Sequence, residues 1–359
     1  MPSQEGSRPR HPRSPVGGIP VNIDVHCHYA ASDFPTQARR ELGDAAPSIM
    51  SEPGGTEVLV RSGMRIRFQK RELSRLTSIE DRLRVMDKCG IRIQAISPPT
   101  FFFFYNEPPE AAARLCALLN DGLAKAVRDH PDRLIAMAAV PLQDTSLAVA
   151  EMERAKRALD ARAVYVGSSV NGRGLDDKEF WPFYEAAETL QIPIFIHPMS
   201  SDLAGADRMG RYLLHNLIGN PLDTTLAAAQ LIFGGVFERF PHLQICLAHG
   251  GGYLAWAIGR MERGYAMHPD CREALTRSPG EFLDRFYVDT IVHSPKALSY
   301  LINLFGADHV LCGSDYPFQI GDPDPIQTIE VQEGLAETER TLIRSENAAR
   351  LLRIEDSHL

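Results

Sequence analysis

Several things are missing from this chain, and each absence removes a class of function. No apolar run in its 359 residues approaches the roughly 20 needed to cross a bilayer as a helix. The N-terminus lacks the apolar core of a signal peptide. The six cysteines (27, 89, 116, 246, 271 and 312) have no Cys-x-x-Cys spacing, and several lie inside apolar strand-like runs. They read as reduced, mostly buried thiols of a cytoplasmic protein and not as a disulfide framework. Positive charge is also short, with 38 Lys and Arg against 46 Asp and Glu. A formal net charge of -8 argues against a nucleic-acid partner held through its phosphates. No Gly-x-Gly-x-x-Gly follows the first strand, which ranks an open, doubly wound sheet second among the architectures below.

What is present suits a large enclosed core, at 44% hydrophobic and 23% charged residues. Residues 1–20, rich in Pro, Arg, Ser and Gly, have almost nothing to bury and are expected to form a disordered leader. From residue 21 to 359 we expect a single domain. Apolar strand candidates occur at 21–28, 92–98, 134–141, 162–168, 192–197, 243–249, 286–292 and 309–315. Helical patterns fall between them, near 78–89, 108–130, 145–160, 177–190, 222–239, 252–266, 295–305 and 325–352. The first of these begins after Thr77-Ser78, with Glu80 and Asp81 in its first turn, as a helix N-terminus favours. This alternation predicts an α/β fold, a (β/α)8 TIM barrel. About fifty residues after the first strand interrupt it without a helix of the expected place and length. There, Glu57–Arg61 and Met64–Phe68 flank Ser62-Gly63 as a hairpin signature. An insertion over about 45–76 would sit above the C-terminal mouth of the barrel, with Arg65 and Arg67 on one face of the ribbon.

The chemistry gathers at strand ends. In Ile23-Asp24-Val25-His26-Cys27-His28, residues two apart share a face, so His26 and His28 project together. His197, His249 and Asp315 close three further strand candidates, and in a barrel all these ends surround one axis. Imidazoles with one carboxylate and a position left open for water make a catalytic zinc site and not a structural one. Such an ion lowers the pKa of a bound water toward about 7. His215 and His293 lie in motif-rich stretches as further candidates for substrate contact. Phe101 to Phe104, Trp181 and Phe183 read mainly as core. His11, His130, His242, His268, His309 and His358 read as surface or tail residues.

Five stretches together carry a resemblance: Asp24-Val-His-Cys-His28, Phe195-Ile-His-Pro198, the run from Gly234 to Gly252 that ends in Ala-His-Gly-Gly-Gly, Gly259-Arg260, and Gly313-Ser-Asp-Tyr-Pro-Phe318. From about residue 21 to 350 the chain resembles the amidohydrolase superfamily, and within it the α-amino-β-carboxymuconate-ε-semialdehyde decarboxylases. The resemblance implies that His26, His28, His197 and Asp315 bind Zn2+ and that His249 is the catalytic acid/base. It implies a substrate-carboxylate role for Arg67, with Arg65 as its fallback, and for Arg260, delivered across a homodimer interface. His293 falls where the family often has histidine. An anionic dicarboxylate substrate also suits arginine on physical grounds, because the planar guanidinium grips carboxylate bidentately. Arg260 falls roughly 12 Å along a helix starting near Gly252, pointing away from its own barrel mouth at about 1.5 Å rise per residue. The implied function is non-oxidative decarboxylation of an unsaturated acid from aromatic ring cleavage, with no organic cofactor. A metal-dependent hydrolase on the same scaffold and a benzoate-type decarboxylase are the alternatives. Relatives of the benzoate type often begin with Glu-x-His, unlike this chain. Met199 stands where family members commonly carry Trp after the His-Pro, so the pocket departs from the pattern there.

Overall fold

The structure is a computed structural model that describes residues 21–355 apart from 53, 55, 62, 63 and 200–202, and the backbone alone at 45, 61, 64, 66, 68 and 69. The expected leader lies outside the described residues. Eight parallel strands run in the order β1 (Ile23–His28), β5 (Ile93–Ser97), β6 (Leu134–Ala139), β7 (Ala163–Gly167), β8 (Ile194–His197), β9 (Ile245–Leu247), β10 (Phe286–Asp289) and β11 (Val310–Leu311). Each falls inside a predicted run. The ring closes between β11 and β1 through Val25 N–H to Cys312 O (2.9 Å), Asp315 N–H to His26 O (2.7 Å) and His28 N–H to Tyr316 O (2.7 Å). The fold is the predicted TIM barrel.

The helices between strands begin where their sequences stop competing for other structure. Ser78 accepts the Asp81 N–H at 3.1 Å and caps helix Ile79–Lys88. Asp144 and Ser294 cap Thr145–Ala158 and Pro295–Phe305 in the same way. Two predicted helices are broken. The 222–239 pattern divides into Asn220–Phe233 and Val236–Arg239 because Gly235 adopts φ 72°, a left-handed backbone that ends a helix. The 325–352 pattern resolves into Pro325–Glu330, Glu337–Thr341, a wide turn at Leu342–Glu346 and Asn347–Leu352, with Gly334 at φ 82° inside the break.

The segment after β1 also departs from expectation. It holds a nine-residue helix, Phe34–Leu42, which buries Phe34 and Ala38, and a second helix, Lys70–Thr77. The predicted hairpin is there as β3 (Thr56–Arg61) and β4 (Met64–Gln69), but β2 (Ser48–Glu52) joins it in a three-stranded antiparallel sheet. Phe34 packs edge-on against Phe102 (ring centroids 4.9 Å), while Phe102, Phe103 and Phe104 are buried. Phe102 and Phe104 are therefore core beneath the insertion, while Phe103 stacks on Tyr105 and Tyr165 of the barrel core.

Inside the barrel the strands are in register so that inward layers coincide. Tyr165 pairs with Phe195, and one layer higher Gly167 pairs with His197. At Gly167 a side chain would collide with Met199 Sδ at 2.4 Å, so glycine is what lets buried Met199 lie across the end of β7. All six cysteines are unpaired, five of them buried. No helix among the described residues is long and apolar enough to cross a membrane.

Candidate metal centre

Four side chains, His26, His197, His249 and Asp315, bring one ligand atom each within 4.8 Å of one another. His28 joins through Asp315, with Nε2 3.0 Å from Oδ1. These are the residues that the strand-end argument singled out, drawn from four strands to one end of the barrel. The backbone is bent to achieve this. His249 and Asp315 lie beyond the last paired residues of β9 and β11, in left-handed conformations (φ 55° and 58°) that non-glycine residues rarely occupy. A straight continuation of either strand would alternate its side chains along the barrel wall. The bend instead turns both groups over the axis.

Hydrogen bonds set which nitrogen of each ring faces the centre. His26 Nδ1 donates to Asp289 Oδ2 at 2.7 Å, and His197 Nδ1 donates to Pro198 O at 2.8 Å. Both rings thus present Nε2, and both Nε2 atoms are buried without a hydrogen-bond partner. His28 follows the same logic. Ser97 Oγ spends its single hydrogen on Cys27 O (3.1 Å), so at 3.2 Å it accepts from His28 Nδ1. An unmet buried polar atom costs about 1–3 kcal/mol. Convergent imidazole lone pairs beside an ionised carboxylate therefore fit a divalent cation, which would satisfy them together.

The electrostatics agree with that fit. Burial pushes His197 well below the usual histidine range, helped by its neighbours His249, His26 and His28, so its lone pair is free at neutral pH. Burial likewise lowers His28. Burial also disfavours the charged form of His26, but the Asp289 hydrogen bond and the nearby Asp315 carboxylate outweigh it and raise the pKa. Asp315 goes the other way. Burial would raise it, yet contacts with His249 and His28 and the charge of His26 hold it well below the carboxylate range. Among the five side chains His249 is the most open at 15% exposure, against 0% for His26 and His28 and 6% for Asp315.

Two carboxylates that sequence reasoning missed support the cluster. Asp289, fully buried, also accepts N–H groups from His249 (2.9 Å), Gly250 (2.8 Å) and Ile291 (3.1 Å). The strand prediction ran on to residue 292 and so hid Asp289 as a mid-strand residue, although β10 ends on it. Asp24 is the second; a bulge between Asp24 and Cys27 places it beside Gln94 on the face opposite His28, which simple alternation along the strand does not predict. Gly313 fits between these layers: a Cβ there would lie 3.0 Å from Asp289 Cβ and 3.1 Å from His26 Cβ.

The other expected residues make no hydrogen bond or ion pair with the cluster. Arg67 is 62% exposed and pairs with Glu52 at 3.3 Å, and Arg65 reaches the other oxygen of Glu52 at 3.1 Å. The hairpin thus turns both arginines to its solvent side, where β2 supplies their acid. Arg260 is exposed on helix Leu254–Met267 and has no ion-pair partner among the described residues. Two nearby acids have other partners, Glu262 with Ser278 and Asp284 with Arg285. His293 is exposed in the turn after β10, and His215 is exposed as well.

Comparison with known proteins agrees with this fold. The amidohydrolase family model matches residues 23–354. The 2-amino-3-carboxymuconate-6-semialdehyde decarboxylase of Dictyostelium discoideum is 38% identical over 336 residues, covering 93% of this chain and 92% of that protein. The crystal structure of 5-carboxyvanillate decarboxylase from Sphingomonas paucimobilis superposes with a TM-score of 0.79 at 25% identity, covering 94% of this chain and all of that one. A dihydroxybenzoic acid decarboxylase from Polaromonas sp. JS666, solved with bound manganese and 2-nitroresorcinol, has the same fold (TM-score 0.78, 24% identity, 94% and 99% covered). The chain belongs to the amidohydrolase family. Within that family it is an enzyme of the carboxy-lyase class, a decarboxylase.

Proposed function

We propose that this enzyme decarboxylates 2-amino-3-carboxymuconate-6-semialdehyde or a close unsaturated analogue, non-oxidatively, with one Zn2+ per subunit and no organic cofactor. The observation that carries this reading is the donor set. Three imidazoles already locked in one tautomer, with one carboxylate, suit zinc better than a site made mainly of carboxylate oxygens would. The 38% identity across nearly the whole of a semialdehyde decarboxylase favours this substrate class over benzoates. So does the His-x-His pair that ends β1.

We assign His26, His28, His197 and Asp315 to the metal and His249 to proton transfer. A bound ion supplies a water of lowered pKa and a Lewis acid at the barrel mouth. His249, the most open of the five, accepts a proton from the site and returns one to the carbon that loses its carboxylate. The C–C bonding pair released with CO2 is taken up by the conjugated system and ends as the new C–H bond. Asp289 holds the His249 backbone and the His26 ring while this happens. Arg67 exchanges Glu52 for a substrate carboxylate, and His293 lies at the rim of the same mouth.

Arg260 acts on the neighbouring subunit of a homodimer. It extends from a helix whose Trp256, one turn earlier, is 84% exposed beside Tyr300 (ring centroids 6.4 Å), with Tyr253 and Leu226 also exposed. A contiguous exposed apolar face of this kind marks an association surface. Reduced cysteines suit the cytoplasm. The test is loss of near-UV absorbance and release of CO2 from a panel of ring-cleavage and hydroxybenzoic acids, run after reconstitution with zinc or manganese. Turnover of benzoates alone, or incorporation of 18O from labelled water into the organic product, would replace this reading with one of its rivals.

A further inference from the structure

The barrel closes across an irregular seam, and residues of the cluster lie on both sides of it. β11 is two residues long, so β1 and the Gly313–Phe318 segment have no regular ladder between them. His26 and His28 stand on one side of this seam and Asp315 on the other. A fully buried polar chain crosses behind them. Asp24, with no exposed surface, accepts four hydrogen bonds. On Oδ1 they come from His26 N–H (3.0 Å) and Ser314 N–H (3.1 Å), and on Oδ2 from Ser314 Oγ (2.6 Å) and Gln94 Nε2 (2.8 Å). Three of these four partners are N–H groups that can only donate, and together they favour an ionised carboxylate against the burial that pushes its pKa up.

A buried anion needs a counter-charge. The Arg82 guanidinium is equally buried, and no carboxylate pairs with it among the described residues. Its Nη1 donates to Gln94 Oε1 at 2.8 Å, its Nη2 donates to His28 O, and it lies 4.8 Å from the centroid of the Tyr316 ring. The Gln94 amide therefore has its oxygen on a cation and its NH2 on an anion. We propose that Arg82, Gln94 and Asp24 form a clasp, an ion pair relayed through one amide, that holds β1 and the Asp315 segment at the spacing the metal requires. Each end of the clasp grips a residue next to a ligand. Asp24 holds the His26 and Ser314 backbone, and Arg82 holds the His28 carbonyl and the ring of Tyr316. These are positioning residues acting through His26, His28 and Asp315.

The proposal rests on the cluster binding metal, and its test separates the two. Purified full-length wild type, Arg82→Met, Asp24→Asn, the double variant and the milder Ser314→Ala would be titrated with zinc against a competing chelator. Each would also be loaded with cobalt and its visible absorption recorded. Wild type failing to bind either ion would remove the metal reading itself. With wild-type binding intact, each single variant should bind zinc roughly 10- to 100-fold more weakly, the usual effect of disturbing groups that orient ligands. The cobalt spectrum should shift in each. Because the two charges balance each other, the double variant should bind no worse than the weaker single one. Ser314→Ala loses only one hydroxyl and leaves the charges in place, so it tests the clasp if the charge variants do not fold, and its spectrum should still shift. Unchanged spectra and zinc affinities in folded variants would overturn the proposal. Losses in the double variant equal to the product of the single ones would do the same.

Discussion

Replacing Asp289 with Asn probes the centre with almost no change in volume. Asp289 accepts from His26 Nδ1 and His249 N–H on one oxygen, and from Gly250 and Ile291 N–H on the other. An amide has only one oxygen. If that oxygen faces Gly250 and Ile291, the NH2 faces His26, whose Nδ1 must then become an acceptor. The ring proton moves to Nε2, where the metal should bind, and the His249 N–H is left opposite another donor. If the oxygen faces His26 instead, two buried N–H groups lose their acceptor at about 1–3 kcal/mol each, or about 2–6 kcal/mol together. The first arrangement is the cheaper, so the variant should fold and its zinc affinity should fall by roughly 10- to 100-fold. Chelator competition for affinity and circular dichroism for unfolding separate the two costs. A variant with wild-type zinc affinity and wild-type thermal stability would show that the Asp289 contacts do not fix the His26 tautomer.

Three further outcomes follow from the same geometry. His249→Ala should keep its metal in elemental analysis while turnover falls on the order of 10² to 10⁴, the usual contribution of a positioned acid/base; loss of metal would make His249 a ligand. Mixing inactive Arg260→Ala subunits with inactive His249→Ala subunits should restore activity, to about half of wild type per mixed dimer by two-site symmetry. Background activity throughout the mixture would place Arg260 in its own chain's business or none. Because the raised pKa of His26 puts a proton in competition with metal, zinc affinity should drop as pH falls through that raised value. In the metal-free protein the sign for folding is opposite: the His26 contribution is fully present below its unfolded pKa and is lost as pH rises through the folded one, which thermal melts across pH would register.

The sequence by itself carried the barrel and most of its centre. Apolar runs separated by helical patterns need no tertiary information, and histidines at the ends of such runs must share one end of a parallel barrel. The His26 and His28 pair of β1 was legible for the same reason, whereas the bulge that turns Asp24 to the opposite face was not. Tertiary structure decided what depends on contacts between distant segments. Asp289 lies 263 positions from the His26 ring it orients, and no local pattern distinguishes it from an ordinary strand residue. Arg82 sits on an amphipathic helix as one polar residue among many until packing buries it behind His28. The arginines of the hairpin met Glu52 because β2, a strand too short and polar to announce itself by alternation, paired with β3. Local periodicity fixes which face a side chain leaves the backbone from; only the folded chain determines what waits there.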